Sequence, residues 1–157
     1  MPVFVPQSRM EEILEHTKEQ SYERDFHSQR NSIIVSLLYG CGIRLAELLS
    51  IKVGDISGGA VKILGKGDKH RLVPLLPELM ERIERYMSYC RECGIEFRSD
   101  SPLIVGSKGK PLSRSTVQRI VAQQMQQAGV QGRKSPHVLR HTFATDLLRE
   151  GVDMRQI

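Results

Sequence analysis

The sequence of 157 residues contains no tryptophan, and aromatic residues make up only 5% of it. Proteins that bind single-stranded nucleic acid by stacking need a supply of aromatic rings, so that mode of binding is disfavoured. No apolar run approaches the roughly 18 residues that a membrane-spanning helix requires. Residues 1–8 also lack the pattern of a secretory signal. We therefore expect a cytoplasmic protein with no membrane partner.

Cysteine is scarce as well, with only Cys41, Cys90 and Cys93. An odd number of cysteines in a chain without an export signal indicates free thiols in a reducing compartment. Cys90 and Cys93 form a C-x-x-C pair, but a structural zinc site needs a second pair of ligands at suitable spacing. We expect these residues to pack in the protein rather than to bind a metal.

The sequence has an excess of basic residues. Lysine and arginine number 23 against 18 aspartates and glutamates, which gives a net charge of +5. The excess lies towards the C-terminal third, because residues 106–157 carry nine basic and three acidic side chains. A basic balance of this kind is typical of proteins that bind polyanions. With few aromatic rings available, a double-stranded DNA held by its phosphates is the favoured partner.

Hydrophobic periodicity and capping signals predict one domain of the α+β class, mainly α-helical with a small antiparallel β-sheet. Helices are expected over about 8–20, 27–39, 113–128 and 135–150, from Pro77 to just before Gly94, and in a short segment that carries Arg44 and Glu47. The polar stretch 19–29 is expected to be a loop. Residues 60–64 and 70–75 are two β-prone runs whose glycine-bearing connection predicts a hairpin.

Several apolar residues recur at helical spacing and are expected to face the core. They are Ile33, Ile34, Leu37 and Leu38 in the second helix, Leu79, Met80, Ile83, Met87 and Cys90 in the helix that starts at Pro77, and Val117, Ile120, Val121 and Met125 in the next.

Arg44 and Glu47 are the first pair that indicates chemistry. They are one helical turn apart, so an ordinary ion pair on a solvated helix is one interpretation. The surrounding segment 37–49 is mostly apolar, however, and charges are seldom buried unpaired. The alternative is a partly buried arginine whose orientation the carboxylate holds for a functional purpose.

The segment from His137 to His141 is the second candidate. His137, Arg140 and His141 share one side of the helix predicted to begin at residues 135–136. Backbone N–H groups and the helix dipole favour an anion there, so a phosphate is the expected ligand. His137 and His141 have the spacing of a metal pair, but Arg140 would repel a cation. For His141 taken alone, a structural role is the alternative to binding a phosphate.

The hairpin tip supplies the third candidate, Lys66, which lies between two glycines. A solvated turn lysine is the ordinary interpretation of such a residue. Lys69 and Arg71 beside it are expected to contact DNA phosphates. Taken with the two arginines and the histidines, Lys66 fits phosphoryl transfer in which protein cations, rather than magnesium, stabilise the charge. No nucleotide-binding P-loop motif is present.

Three segments occur in an order that is recognisable: Gly-Cys-Gly-Ile-Arg-Leu-Ala-Glu-Leu over 40–48, Gly-Lys-Gly-Asp-Lys-His-Arg-Leu-Val-Pro over 65–74, and Ser-Pro-His-Val-Leu-Arg-His-Thr-Phe-Ala-Thr-Asp-Leu-Leu over 135–148. Together they resemble the catalytic domain of the tyrosine recombinases of the phage-integrase and Xer type. The resemblance covers nearly the whole chain and implies the DNA breaking-rejoining fold.

The resemblance also implies a role for each matching residue. Arg44 and Arg140 would clamp the scissile phosphate, and Lys66 would protonate the leaving 5′ oxygen. His137 would assist proton transfer at the nucleophile, and Glu47 would hold the geometry of the site. In that family a tyrosine attacks DNA to form a 3′-phosphotyrosyl bond, and no metal or other cofactor is needed.

The sequence departs from the family pattern in two ways. The family continues with a Leu-Gly-His segment and the nucleophilic tyrosine, whereas Tyr22, Tyr39, Tyr86 and Tyr89 all precede the last matching motif. The helical core-binding domain that usually comes first has no counterpart either. Residues 1–157 are thus expected to be a partial catalytic domain, monomeric and catalytically incompetent, from a parent that acts as a homotetramer on DNA.

Two other classes of function compete with this expectation. One is a non-catalytic DNA-binding regulator derived from a recombinase, which nothing within the 157 residues excludes. The other is a helical adaptor whose basic residues are only solvated. The adaptor would require the match of three ordered motifs to be a coincidence.

Overall fold

The structure, a computed structural model, describes residues 15–127. The chain is helical over 15–21 (α1) where the description begins. The elements that follow are α2 (Phe26–Gly40), α3 (Leu45–Ser50), β1 (Ile56–Ser57), β2 (Ala60–Leu64), β3 (His70–Pro74), α4 (Pro77–Glu92) and α5 (Arg114–Gln127). A mainly helical fold with one small antiparallel sheet confirms the predicted fold class.

Helix α2 forms the centre of the core and packs against both α4 and α5. All four of its predicted core residues are buried. Ser32, Val35 and Ser36 are buried as well, so α2 is covered on nearly every side rather than along one stripe. The predicted loop over 19–29 was wrong in extent, because α1 continues to residue 21 and α2 begins at Phe26.

The start of α2 is determined by Asp25, whose backbone is extended and whose carboxylate caps the helix. Its Oδ2 accepts a hydrogen bond from the Ser28 backbone N–H at 2.9 Å and one from the Ser28 hydroxyl at 3.0 Å. These hydrogen bonds stabilise the ionised form, so the pKa of Asp25 lies below its ordinary value of 3.8. The cap therefore contributes its full stabilisation above the pKa that Asp25 has in the unfolded chain. This stabilisation is lost as the pH falls through the lower pKa that Asp25 has in the folded chain.

Asp25→Ala is expected to lower the free energy of unfolding by about 1 kcal/mol at neutral pH, because it removes this N-cap. Asp25→Asn should retain most of the stability, since an amide oxygen can also cap the helix. It should lose the part of the pH dependence of stability that comes from protonation of the carboxylate. Urea denaturation at pH 7 and pH 3 measures both. Equal stability of the alanine and aspartate proteins at pH 7 would contradict this role.

The sheet has the order β1-β2-β3 with every pairing antiparallel. The predicted hairpin of β2 and β3 is confirmed, and its register pairs Val61 with Val73 and Ile63 with Arg71. These four residues form the inner row, where Val61 and Ile63 are buried. The outer row, Lys62, Leu64, His70, Leu72 and Pro74, is exposed. Strand β1 was not predicted, because two residues are too few to give an alternating pattern.

Helix α4 begins at Pro77 as predicted, and Leu79, Ile83 and Cys90 are buried on its inner face. Met80 and Met87 are only partly buried. The residue that the pattern missed is Tyr86, which is fully buried and donates a hydrogen bond from its hydroxyl to the Leu103 carbonyl at 2.8 Å. Burial raises the pKa of this hydroxyl. Tyrosine was overlooked because it also occurs on surfaces.

Cys41, Cys90 and α5 match the predictions, whereas the expectation that Cys93 packs in the protein was wrong, because Cys93 lies exposed at the C-cap of α4. Burial raises the pKa of Cys41 and of Cys90 to about 11 in each case, whereas Cys93 is exposed. In α5 all four predicted core residues are buried.

Among the residues described, no helix combines the length and apolar character needed to cross a bilayer. The start of the first helix, the end of α5 at Gly129 and the helix predicted over 135–150 lie outside the described residues.

Candidate active site

Arg44 is placed by a short turn, residues 41–44, which joins α2 to α3 and is called the Arg44 turn below. Gly42 has a φ of +61°, a left-handed conformation that favours glycine and reverses the chain within a few residues. Arg44 is the N-cap residue of α3 and has an extended backbone. The expectation that it would be partly buried was wrong. Its neighbour Ile43 fills the core, which leaves Arg44 exposed.

Glu47 is buried in the first turn of α3, with 8% of its surface exposed. Its Oε1 accepts a hydrogen bond from the backbone N–H of Arg44 at 2.9 Å. The spacing of the two residues allowed an ion pair between their side chains, whereas this contact joins the carboxylate to the backbone. Glu47 therefore holds the Arg44 turn and leaves the Arg44 guanidinium facing outward.

The carboxylate of Glu47 also forms an ion pair with Arg71 of β3. Nη1 lies 2.6 Å from Oε2, and Nη2 lies 3.0 Å from Oε1. This bidentate hydrogen bonding raises the pKa of Arg71. Sequence reasoning missed the pairing because the two residues are 24 positions apart. One feature of the sequence indicated that Arg71 does not face solvent. The alternation of β3 places Arg71 in the inner row.

Lys66 lies in the connection between β2 and β3, residues 65–69, which is called the Lys66 loop below. Gly65 donates a backbone hydrogen bond to the Lys69 carbonyl at 2.7 Å, which closes the loop. Gly67 has a φ of +72° within the single turn of 3₁₀ helix from Lys66 to Asp68. Lys66 and Lys69 are both exposed.

The Arg44 turn and the Lys66 loop face the same open depression of about 700 Å³. The residues that line it are Arg44, Ala46, Glu47, Ser50, Leu64, Gly65, Lys66 and Arg71. The fold thus brings together four of the predicted site residues, Arg44, Glu47, Lys66 and Arg71. Lys69 is not among the lining residues. His137, Arg140 and His141 lie outside the described residues.

The charges of this depression favour an anionic ligand. Among the described residues, three cationic side chains line it, and the one carboxylate there is already paired with Arg71. Arg44 offers a planar set of N–H donors that matches a phosphate, and Lys66 offers a mobile ammonium group. Within residues 15–127 there is no cluster of three or more histidine, cysteine or acidic side chains able to hold a metal ion.

The model of the phage integrase family matches residues 4–157. The chain belongs to the phage integrase family. Among curated members, the tyrosine recombinase XerC of Brucella suis biovar 1 is 38% identical over 141 residues, which cover 88% of this chain and 44% of XerC. A tyrosine recombinase of Pseudothermotoga lettingae is 38% identical over 160 residues, covering all of this chain and 51% of that protein.

Solved structures of phage integrase family proteins have the same fold. The crystal structure of the XerA recombinase superposes with a TM-score of 0.81 at 28% identity, covering 99% of this chain and 52% of XerA. The XerH site-specific recombinase, bound to its difH substrate, gives a TM-score of 0.79 at 24% identity over 96% of this chain and 44% of XerH. This chain spans about half the length of the curated relatives that it matches.

Proposed function

We propose that residues 1–157 are a partial catalytic domain of a site-specific DNA recombinase. Its parent would break and rejoin DNA strands through a 3′-phosphotyrosyl intermediate. The observation that carries the proposal is the depression that Arg44 and Lys66 share, in a chain of the phage integrase family. Double-stranded DNA is the partner in this proposal. A related protein, residues 75–356 of lambda integrase, has been solved bound to DNA.

The proposed chemistry assigns each cation a place around one phosphate. Arg44 and Arg140 would neutralise the non-bridging oxygens, whose charge must be stabilised as phosphorus exchanges one ester oxygen for another. Lys66 would give a proton to the 5′ oxygen as its bond to phosphorus breaks. His137 would assist the proton transfer at the tyrosine hydroxyl, whose oxygen forms the new bond. The energy of the ester is retained in the covalent bond, so no nucleotide or metal cofactor is required.

A second candidate function is a DNA-binding regulator that does not cut its target. The observation that favours it is the lining of the depression, where the described residues include three cations and no tyrosine. Such a protein would occupy a recombination site by its phosphate contacts alone. Assays for a covalent product separate this function from the first one.

The assembly belongs to the proposal as well. For this chain we propose a monomer. For the parent we propose a homotetramer on two duplexes, as the resemblance to the tyrosine recombinases implies. The proposed compartment is the cytoplasm, where the DNA substrate would be accessible.

Arg44→Ala is expected to weaken the binding of duplex DNA by about tenfold or more, since a charge-assisted phosphate contact is worth roughly 1.5–3 kcal/mol. It should also reduce the slope of log K against log salt concentration by about 0.9, the amount that one phosphate contact contributes. Fluorescence anisotropy of a labelled duplex at several salt concentrations measures both quantities.

The matched control is Arg91→Ala, which removes an exposed arginine that lines a different depression at the end of α4. It removes the same net charge and is expected to change the affinity less than twofold. Equal effects of the two substitutions would show that net charge alone governs binding, and the proposed phosphate site at Arg44 would then be rejected.

A further inference from the structure

The ion pair of Arg71 and Glu47 joins the two segments that carry Arg44 and Lys66. We propose that Arg71 is a positioning residue, which acts through Glu47 to hold the Lys66 loop against the Arg44 turn. The inference rests on the proposed function, because it names what sets the geometry of that site. It also replaces the role that the sequence indicated for Arg71, a direct contact to a DNA phosphate.

The position of Arg71 on β3 directs its side chain towards α3. Arg71 pairs with Ile63 across the hairpin, and Ile63 is buried in the core. The Arg71 side chain is 38% exposed, while the Glu47 side chain that it contacts is only 10% exposed. The charged ends of the two residues therefore meet at the wall of the depression.

Glu47 has two roles in this arrangement. Its Oε1 receives hydrogen bonds from the Arg44 backbone and from Nη2 of Arg71, while its Oε2 receives one from Nη1 of Arg71. A planar guanidinium that binds both carboxylate oxygens fixes the direction as well as the distance between the partners. One carboxylate thereby connects the first turn of α3 to β3.

The Lys66 loop begins beside this ion pair. A Cβ atom added to Gly65 would lie 3.7 Å from Nη1 of Arg71 and 3.7 Å from Oε2 of Glu47. A side chain at position 65 would thus reach van der Waals contact with the paired groups, so the ion pair lies beside the backbone immediately before Lys66. Because Gly65 is also hydrogen-bonded to Lys69, the whole loop follows the position of the ion pair.

The same contacts make Arg71 a poor phosphate ligand. Both of its terminal nitrogens already donate to Glu47, and the carboxylate opposes the attraction of its charge for an anion. Arg44 and Lys66 are exposed on the same depression. A phosphate would therefore be held by those two residues, at a separation that Arg71 maintains.

The first experiment is a double-mutant cycle in the binding of duplex DNA by the full chain. Arg71→Lys keeps the positive charge but loses the planar bidentate contact. If Arg71 positions Arg44, Arg71→Lys should weaken binding about fivefold and have little further effect in the Arg44→Ala background, because coupled residues are not additive. A direct phosphate contact predicts instead that lysine substitutes well and that the two substitutions have independent effects.

The second experiment needs no DNA. Arg71→Lys and Glu47→Gln should both shift the backbone amide resonances of Gly65 and Lys66 in a ¹⁵N correlation spectrum. Lys62→Gln is the control, because Lys62 is exposed in the outer row of the same hairpin and should leave those resonances in place. Thermal denaturation identifies any variant that fails to fold, and Glu47→Gln then replaces Arg71→Lys in the cycle.

The two experiments separate the inference from the function on which it rests. Unchanged Gly65 and Lys66 resonances in a folded variant overturn the positioning role, whatever the DNA result. Independent effects of Arg71→Lys and Arg44→Ala on binding overturn it as well. If the resonances shift but Arg44→Ala does not alter DNA affinity, the ion pair positions the loop and the proposed function is the part that fails.

Discussion

Leu38→Ala is expected to lower the free energy of unfolding by about 3 kcal/mol, the largest stability change predicted for this protein. Leu38 lies in α2 with 0% of its surface exposed. The substitution removes buried methyl groups and leaves a cavity as well. Because α4 and α5 pack on α2 and most of its residues are buried, the surroundings have little freedom to collapse into that cavity. Urea denaturation monitored by circular dichroism measures the change.

Leu72→Ala is the matched control for this prediction. It removes the same atoms from a residue that is 72% exposed in the outer row of the hairpin. Its effect on the free energy of unfolding is expected to stay within about 0.5 kcal/mol. Comparable losses in the two variants would mean that the burial described for α2 is not what stabilises the chain.

The second large effect is expected in DNA cleavage, where this chain alone should yield no covalent adduct. Its four tyrosines are engaged away from the depression that Arg44 and Lys66 line. Tyr86 donates to the Leu103 carbonyl, Tyr89 donates to the Arg24 carbonyl, and the ring of Tyr22 lies under the guanidinium of Arg85. Tyr39 is half-buried against the core.

The measurement is intact mass spectrometry after incubation with nicked suicide duplexes of randomised sequence. XerH with its difH substrate is the positive control, because that pair has been observed in a post-cleavage complex. A mass increase that corresponds to one DNA strand would contradict the expectation. Phenylalanine substitutions at the four tyrosines would then identify the nucleophile.

Local patterns in the sequence predicted most of the described elements. The helices α2, α4 and α5 were found because apolar residues recur at helical spacing and because Pro77 and Ser113 mark helix starts. Alternation and the glycines at 65 and 67 were sufficient for the hairpin. The errors are the missed strand β1 and the element boundaries. The extent of the loop before α2 was overestimated, because polar residues continue through the last turn of α1.

The candidate site was only partly predictable, because its shape depends on how distant segments pack together. Arg44 and Lys66 were identified from the residues around them and from the family motifs. Their common depression depends on how the hairpin packs against α3. The exposure of Arg44 depends on Ile43 entering the core in its place, which a stretch of mostly apolar sequence does not reveal.

The sequence by itself determined the class of fold, the excess of basic charge and the family, because periodicity, composition and motif order are properties of neighbouring residues. Only the tertiary structure decided the partner of Glu47. Arg71 is 24 residues away along the chain, and its charge and its place after a glycine loop are equally compatible with a phosphate contact. The pairing arises because antiparallel register places Arg71 opposite the buried Ile63, which turns its guanidinium towards the carboxylate of α3.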